Sequence, residues 1–174
     1  MIILGYQGIG KSTLSKNDLR VIDLESSCYT WGSRKLEDWH KAHADNALHL
    51  SKQGYTVVTA THAPVREWIG THNTTFPIGV HIEYMYEEQV AVVVPDVSLK
   101  DAWIERLWKR YDTTKLMKDY CAWMNADKRF VDNIGEIVAD ANKYYWKVIT
   151  IPSMEYNLKE LIDNAMGVKH ENQN

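Results

Sequence analysis

Apolar positions along this chain follow two rhythms, one of unbroken runs and one of spacings of three and four. Met1-Ile2-Ile3-Leu4 is a short run that stops at Gly5; glycines follow at 8 and 10, then Lys11 and a helix-compatible stretch from Ser12 to Lys16. That order predicts strand, glycine loop, helix. Leu19 to Leu24 reads as a second strand ending in Glu25-Ser26-Ser27, and Leu36, Trp39, His43, Ala47 and Leu50 mark an amphipathic helix closed by Gly54. Tyr55 to Ala60 is a β-branched strand, Pro64 suits the first turn of a short helix over Val65 to Ile69, and Gly70 is expected to stop it. Val80, Ile82, Tyr84 and Tyr86 alternate as an extra strand. Val90 to Val94 is continuous and β-branched, as expected of a strand covered on both faces, and Pro95-Asp96 ends it. Ser98 and Asp101 form a pair of capping-box type before a helix with Leu99, Ala102, Trp103 and Leu107 on one face. Asp112-Thr113-Thr114 breaks that helix, and a second helical tract carries Phe130, Ile134, Ile137 and Ala141. Trp146 to Ile151 is the last strand, Pro152-Ser153 a turn, Glu155 to Ala165 the closing helix, and Val168 to Asn174 a polar tail.

Strands alternating with helices over the whole length predict an α/β fold, with right-handed βαβ units building a parallel sheet of about five strands. Ligands of such sheets lie at the carboxyl ends of the strands. Here those ends are Gly5 to Ser12, Asp23 to Ser27, Thr61 to Arg66, Asp96 and Pro152-Ser153.

Composition narrows the classes. With 174 residues, 45% hydrophobic and 25% charged, the chain reads as one globular domain, residues 1–174, large enough for a core without disulfides. Cys28 and Cys121 are isolated, which excludes a CxxC zinc or redox site and points to a reducing compartment. The net charge of -3 comes without a basic block that would announce nucleic acid. The first residues lack a basic leader and a cleavage pattern, and no apolar stretch approaches a membrane span, so a cytoplasmic protein is expected. Seven Trp and ten Tyr stand against two Phe, a surplus that suits wet cores first and ring-stacking pockets second.

Gly5-Tyr6-Gln7-Gly8-Ile9-Gly10-Lys11-Ser12 matches GxxxxGK[ST] between a predicted strand and a predicted helix, as the mechanics of that motif require. Glycines let the backbone wrap so that successive N–H groups face phosphate oxygens. Lys11 would reach the β- and γ-phosphates and the Ser12 hydroxyl would ligate magnesium. Asp23 and Glu25 end the second strand, and alternation in an extended chain turns both carboxylates the same way. Either could instead cap the next helix.

On these residues the chain resembles the small P-loop kinases of the nucleoside monophosphate kinase and shikimate/gluconate kinase type, including phage-encoded nucleotide kinases that would act in the host cytoplasm. The resemblance covers most of the chain as an order of elements and is specific in the P-loop and, more loosely, in the acidic strand end. It implies a three-layer P-loop NTPase fold with helices on both sheet faces and a short lid at about 112–130, ending in Lys128-Arg129-Phe130. It implies ATP and Mg2+ as cofactors and phosphoryl transfer to a nucleoside or deoxynucleoside monophosphate. Gly5, Gly8, Gly10, Lys11, Ser12 and Thr13 would bind the nucleotide, and Pro152 and Ser153 would pack its base. Ser12 and Asp23 would hold the metal, Asp23 as base or magnesium-shell ligand, and Glu25 would bind the acceptor. Where monophosphate kinases carry Asp-Gly-x-Pro-Arg, this chain has Ala60-Thr61-His62-Ala63-Pro64-Val65-Arg66. The third-strand carboxylate is missing, so magnesium organisation falls to Asp23.

Phosphoryl transfer also needs positive charge over the migrating group and exclusion of water. Arg106 and Arg110, four apart on one helix face, are the catalytic candidates; pairing with Asp101 and Glu105 is the bland alternative. Arg34 and Arg66 are candidates for the acceptor's phosphate because of their fork geometry, and His62 for a substrate contact. Tyr29 and Trp31 could stack on a base, and the His40/His43 spacing invites a metal reading that lacks a carboxylate or Cys partner. Two other functions stay open: a kinase for a hydroxyl on a metabolite or nucleic-acid end, the one reading in which nucleic acid is a partner, and a nucleotide-dependent switch.

Overall fold

The two runs of unbroken apolar residues become the middle of a five-stranded sheet, because only a strand covered on both faces can bury every side chain. The computed structural model describes residues 1–31, 34–35, 37–73 and 89–167, and of residues 30, 31, 34 and 35 the backbone alone. β1 (Ile2–Gly5) and β6 (Val90–Pro95) lie side by side and are buried throughout. β5 (Thr56–Ala60) flanks β1 on the other side, and β2 (Val21–Leu24) and β7 (Lys147–Ile151) form the edges, giving the order β2-β5-β1-β6-β7 with every pairing parallel. A separate antiparallel ribbon joins β3 (Thr30–Trp31) to β4 (Arg34–Lys35). Strands of two residues have no periodicity to read, so this ribbon has no sequence signature.

The crossovers place the helices. α1 (Lys11–Asn17) carries the chain from β1 out to β2. α2 (Trp39–Lys52), α3 (Ala63–His72) and the pair α4 (Lys100–Thr114) and α5 (Met117–Lys143) carry it in the opposite direction along the sheet. Right-handed crossovers therefore put α1 on one face and α2, α3 and α5 on the other. α6 (Leu158–Met166) packs beside β7, and its Lys159 lies 3.9 Å from Asp18 at the end of α1. Because the chain leaves β1 toward one face and β5 toward the other, a crevice opens at the carboxyl ends of these neighbouring strands.

Several boundaries differ from expectation for local reasons. Asp18 accepts a hydrogen bond from the Arg20 N–H, a turn that leaves Leu19 97% exposed, so β2 starts at Val21. α3 runs through Gly70 instead of stopping there: a Cβ on Gly70 would lie 2.4 Å from the Tyr144 ring, so the glycine permits close packing rather than ending the helix. Asp96, not Ser98, caps the segment before α4, accepting from the Ser98 N–H at 2.9 Å and from its hydroxyl at 2.6 Å. α5 is far longer than the tract read from its apolar positions, with one non-helical residue, Arg129 (φ -138°). α6 begins at Leu158 under an Asn157 cap. The alternating segment around Val80 to Tyr86, the tail from Val168 and the position of Leu36 lie outside the described residues.

Residues 112–130 are thus the end of α4, a turn at Lys115 (φ 53°) and the first half of α5. The two helices pack antiparallel through an aromatic ladder, Trp108 on Trp123 at 4.8 Å and Tyr111 on Tyr120 at 5.2 Å. A second aromatic group joins α2, α3 and the strand ends: Trp39 stands edge-on to His43 and to His62, and Trp68 stacks on His72. Trp39, Trp68, Trp108, Tyr111, Tyr120 and Trp123 thus serve the packing of helices. Among the described residues no helix is long and apolar enough to cross a membrane.

Candidate functional site

The glycine loop leaves β1 at the centre of the sheet and turns sharply into α1. Gly8 (φ 85°) and Gly10 (φ 94°) hold left-handed backbone that other residues adopt only under strain. Among the described residues, no acceptor is found for the backbone N–H groups of Gly8, Gly10, Lys11 or Ser12. Lys11 folds back over the loop, its ammonium donating to the carbonyls of Gly5 (2.9 Å) and Tyr6 (3.2 Å). Burial pushes that ammonium down to about 8; Asp23 opposes the shift, Arg110 adds to it and Glu25 opposes it. Lys11 is therefore a cation held where its charge is costly, which an arriving anion would relieve.

Asp23 and Glu25 lie two apart at the end of β2, and the charges of both act on this lysine. The Ser12 hydroxyl donates to Asp23 Oδ2 at 2.6 Å, tying the start of α1 to the end of β2. Glu25 accepts from the Ser27 hydroxyl at 3.1 Å and lies 3.5 Å from Lys118 of α5, so the acidic strand end meets the first turn of the α4–α5 hairpin. Thr13, the third residue of α1, is exposed, with its N–H bonded to the Gly10 carbonyl.

Across the crevice stands a wall built from the end of β5, α3 and α5. The cavity between the walls holds about 270 Å³ and is lined by Lys11 and Tyr6 on one side and by Thr61, Arg66, Asn133 and Arg129 on the other. Arg66 is almost fully buried. Its Nε and Nη2 both lie 2.7 Å from Asp140 of α5, and its Nη1 donates to the Thr61 carbonyl. The expected phosphate fork is committed to the protein, because a guanidinium buried without a carboxylate would be too costly to fold. Arg129 is paired with Glu136 at 2.6 Å through one nitrogen, in a contact that leaves both side chains half exposed. His62, at the start of α3, shares a hydrogen bond of 3.2 Å with the Ser26 hydroxyl, joining the ends of β2 and β5. At the cavity floor the Tyr6 hydroxyl and Asn133 Nδ2 are buried without a partner among the described residues. Burial pushes the Tyr6 phenol up to about 12, against the Gln7 and Asn133 side chains beside it.

Arg106 and Arg110 share a helix face but not a task. Arg110 pairs with the buried Asp119 at 2.9 Å, which also accepts from Thr114, and its Nε is buried without a partner among the described residues. Arg106 lies over the Trp103 and Tyr156 rings, at 5.1 and 5.4 Å, and donates to the Tyr156 hydroxyl. Neither pairs with Asp101 or Glu105; Glu105 takes Lys109 instead. Pro152 and Ser153 are exposed beyond β7, with the Ser153 hydroxyl on the Glu155 carbonyl. The Arg34 and Trp31 side chains lie outside the described residues. Tyr29 accepts from Asn46 and packs edge-on to His43, which is itself buried and hydrogen-bonded to Thr59. His40 and His43 are thus aromatic-cluster members, and among the described residues no three His, Cys, Asp or Glu converge on one point.

Sequence reasoning missed Trp103 and Tyr156, which hold the loop from outside, and Asp119, Asn133 and Asp140, which line or brace the cavity. Trp103, Tyr156 and Asp140 act through partners far away in the chain, Asp119 through Arg110 and Thr114 nearby, and Asn133 as part of the cavity lining, so no local motif marks them. No protein-family model matches the chain, and no curated protein matches it.

Proposed function

We propose that this chain is an ATP- and magnesium-dependent phosphotransferase with a three-layer P-loop NTPase fold, acting on a nucleoside or deoxynucleoside monophosphate. The observation that carries the reading is the Ser12–Asp23 hydrogen bond beside a strained cationic Lys11 in a glycine loop at the sheet crevice. A hydroxyl and a carboxylate are hard oxygen donors, and magnesium takes one or two such ligands together with waters and phosphates rather than a full protein cage. Ser12 and Asp23 are the residues that would hold it. When bound it would neutralise charge on the phosphate oxygens.

The chain's own groups divide the remaining work. Loop N–H groups and Lys11 bind the phosphates, with phosphate oxygens replacing the carbonyls of Gly5 and Tyr6 on the ammonium. Arg110, beside Lys11, supplies charge over the transferring group. Glu25 orients the acceptor, and Asp23 takes the proton where the acceptor carries one. Residues 112–130 act as the lid, the Lys118–Glu25 contact holding it over the acidic strand end and keeping water out.

A second reading is favoured by a specific observation: Arg66 and Arg129 are already neutralised by Asp140 and Glu136, which suits an acceptor without a phosphate of its own. ADP release, measured in a coupled assay across monophosphates, shikimate-like alcohols and 5′-hydroxyl oligonucleotides, separates the two. Turnover stimulated by a monophosphate is the expected result. Turnover with an alcohol alone selects the second reading, and ATP binding without any acceptor-stimulated turnover rejects phosphotransfer and leaves a switch.

A further inference from the structure

The glycine loop touches two aromatic residues that no motif assigns. The indole N–H of Trp103, fully buried on α4, donates to the Gln7 carbonyl at 2.9 Å. The Tyr156 hydroxyl, in the segment before α6, donates to the Ile9 carbonyl at 3.0 Å. The direction of the second bond is fixed because a carbonyl only accepts, and the Arg106 Nη1 in turn donates to the Tyr156 oxygen at 3.2 Å. Burial pushes the Tyr156 phenol up, keeping that proton in place at neutral pH.

Peptide geometry converts these contacts into a statement about the other side of the loop. In a planar trans peptide the C=O and the following N–H point in opposite directions. Holding the Gln7 carbonyl toward Trp103 turns the Gly8 N–H away from it, and holding the Ile9 carbonyl toward Tyr156 does the same for Gly10. These are the two left-handed glycines, and neither N–H has an acceptor among the described residues. Gly8 is further seated by Trp103 and Leu107: a Cβ there would lie 2.9 Å from Leu107 and 3.4 Å from the Trp103 indole nitrogen.

We propose that Trp103 and Tyr156 are positioning residues that clamp two loop carbonyls outward, so that the Gly8 and Gly10 N–H groups stand ready for the oxygens of a polyphosphate. The proposal rests on the phosphate-binding reading of the loop. It assigns the pair to the phosphate chain rather than to the nucleoside, although Arg106 stacked on both rings would suggest a base pocket.

Tyr156→Phe removes one donor and keeps the ring; Trp103→Phe removes the other donor but puts a smaller ring in a buried site. The probes are inorganic tripolyphosphate, Mg-ATP and adenosine, with dissociation constants from calorimetry and KM and kcat from the coupled assay. In Tyr156→Phe, tripolyphosphate and Mg-ATP are each expected to bind about fivefold to tenfold more weakly, the scale of one lost neutral hydrogen bond, with adenosine unchanged. KM for ATP rises by that factor while kcat holds, and the melting temperature of the free protein shifts little. Unchanged tripolyphosphate binding with weaker adenosine or ATP binding would overturn the clamp and make the pair a base platform. Unchanged binding of all three would also overturn it. Failure of the unaltered protein to bind tripolyphosphate or ATP would instead remove the phosphate-binding reading itself. Should Trp103→Phe not fold, Tyr156→Phe decides alone.

Discussion

The two walls of the central cavity are built on opposite principles. The wall of β1, the glycine loop and β2 is chemically unfinished. Lys11 is a charge in a place that disfavours charge, and among the described residues two glycine N–H groups lack acceptors and Asp23 has one hydrogen-bond partner, the Ser12 hydroxyl. The facing wall of α3 and α5 is largely finished. Arg66 is forked onto Asp140, Arg129 is paired with Glu136, and Gly70 of α3 lies flat against Tyr144 at the end of α5. Unfinished groups are the kind that a ligand completes, and finished ones hold helices together, so substitutions on the two walls should fail in different ways.

The largest expected effect is on the unfinished wall. Lys11→Ala and Asp23→Asn should each lower turnover at least ~100-fold, the scale of losing one electrostatic or proton-handling group at a reacting centre. Circular dichroism should stay near that of the unaltered chain, and the unfolding midpoint should not fall. Near-normal turnover in either variant, or unfolding in both, would erase the contrast between the walls.

The finished wall should lose stability instead. Arg66→Ala strands Asp140 and the Thr61 carbonyl; removing one partner of a buried pair costs about 3–5 kcal/mol, and Asp140, a third exposed, recovers enough water to bring the loss nearer 2. Urea unfolding measures this, and the double variant Arg66→Met/Asp140→Leu should regain much of it. A stable Arg66→Ala whose KM rises for the acceptor alone would return Arg66 to acceptor binding and move part of the finished wall into the site.

A smaller loss is expected at Gly70→Ala. The new methyl meets the Tyr144 ring at 2.4 Å, an overpacking cost of about 1–3 kcal/mol, partly offset by up to about 1 kcal/mol of helix propensity. Gly70→Ala/Tyr144→Ala should recover the propensity gain without the clash. A stabilised single variant would show that α3 and α5 are free to separate.

The same contrast explains what the chain's pattern revealed. The unfinished wall was legible because its parts are contiguous: Gly5 to Ser12 is one turn of backbone, and Asp23 lies on the next strand in the same alternation as Glu25. The sheet strands were legible from short apolar runs, unbroken in β1 and β6 because burial on both faces demands them, and readable also in the half-buried β2 and the partly exposed β7 at the edges. The finished wall was not, because Arg66 meets Asp140 across 74 positions, and a lone arginine after a strand looks alike whether its partner is a ligand or a helix. The long α5 escaped because its first half packs through Tyr120 and Trp123, amphipathic rings with no strict period of apolar residues. Gly70 was read as a stop because its reason for being glycine lies on another helix.

The last expected effect tests the unfinished wall from the side of stability. Lys11 titrates near 8 when folded and near 10.5 in an open chain, so folding disfavours its proton. Below pH 8 the lysine is charged in both states and the folded state bears the cost. Between pH 8 and 10.5 the unfolded chain still holds the proton while the folded one releases it, so stability rises with pH in that window. Lys11→Met carries no such charge. It should melt a few degrees above the unaltered chain at pH 7, and the gap should close as the pH approaches 10.5, other titrations cancelling in the comparison. Its ATP affinity should be lost at every pH, while in the unaltered chain ATP binding should weaken as the pH rises past 8. Thermal melts of both proteins at pH 7, 9 and 10.5 measure the gap. A Lys11→Met variant less stable at pH 7 would mean that the Gly5 and Tyr6 carbonyls already repay the buried charge, and that this wall, too, is finished without a ligand.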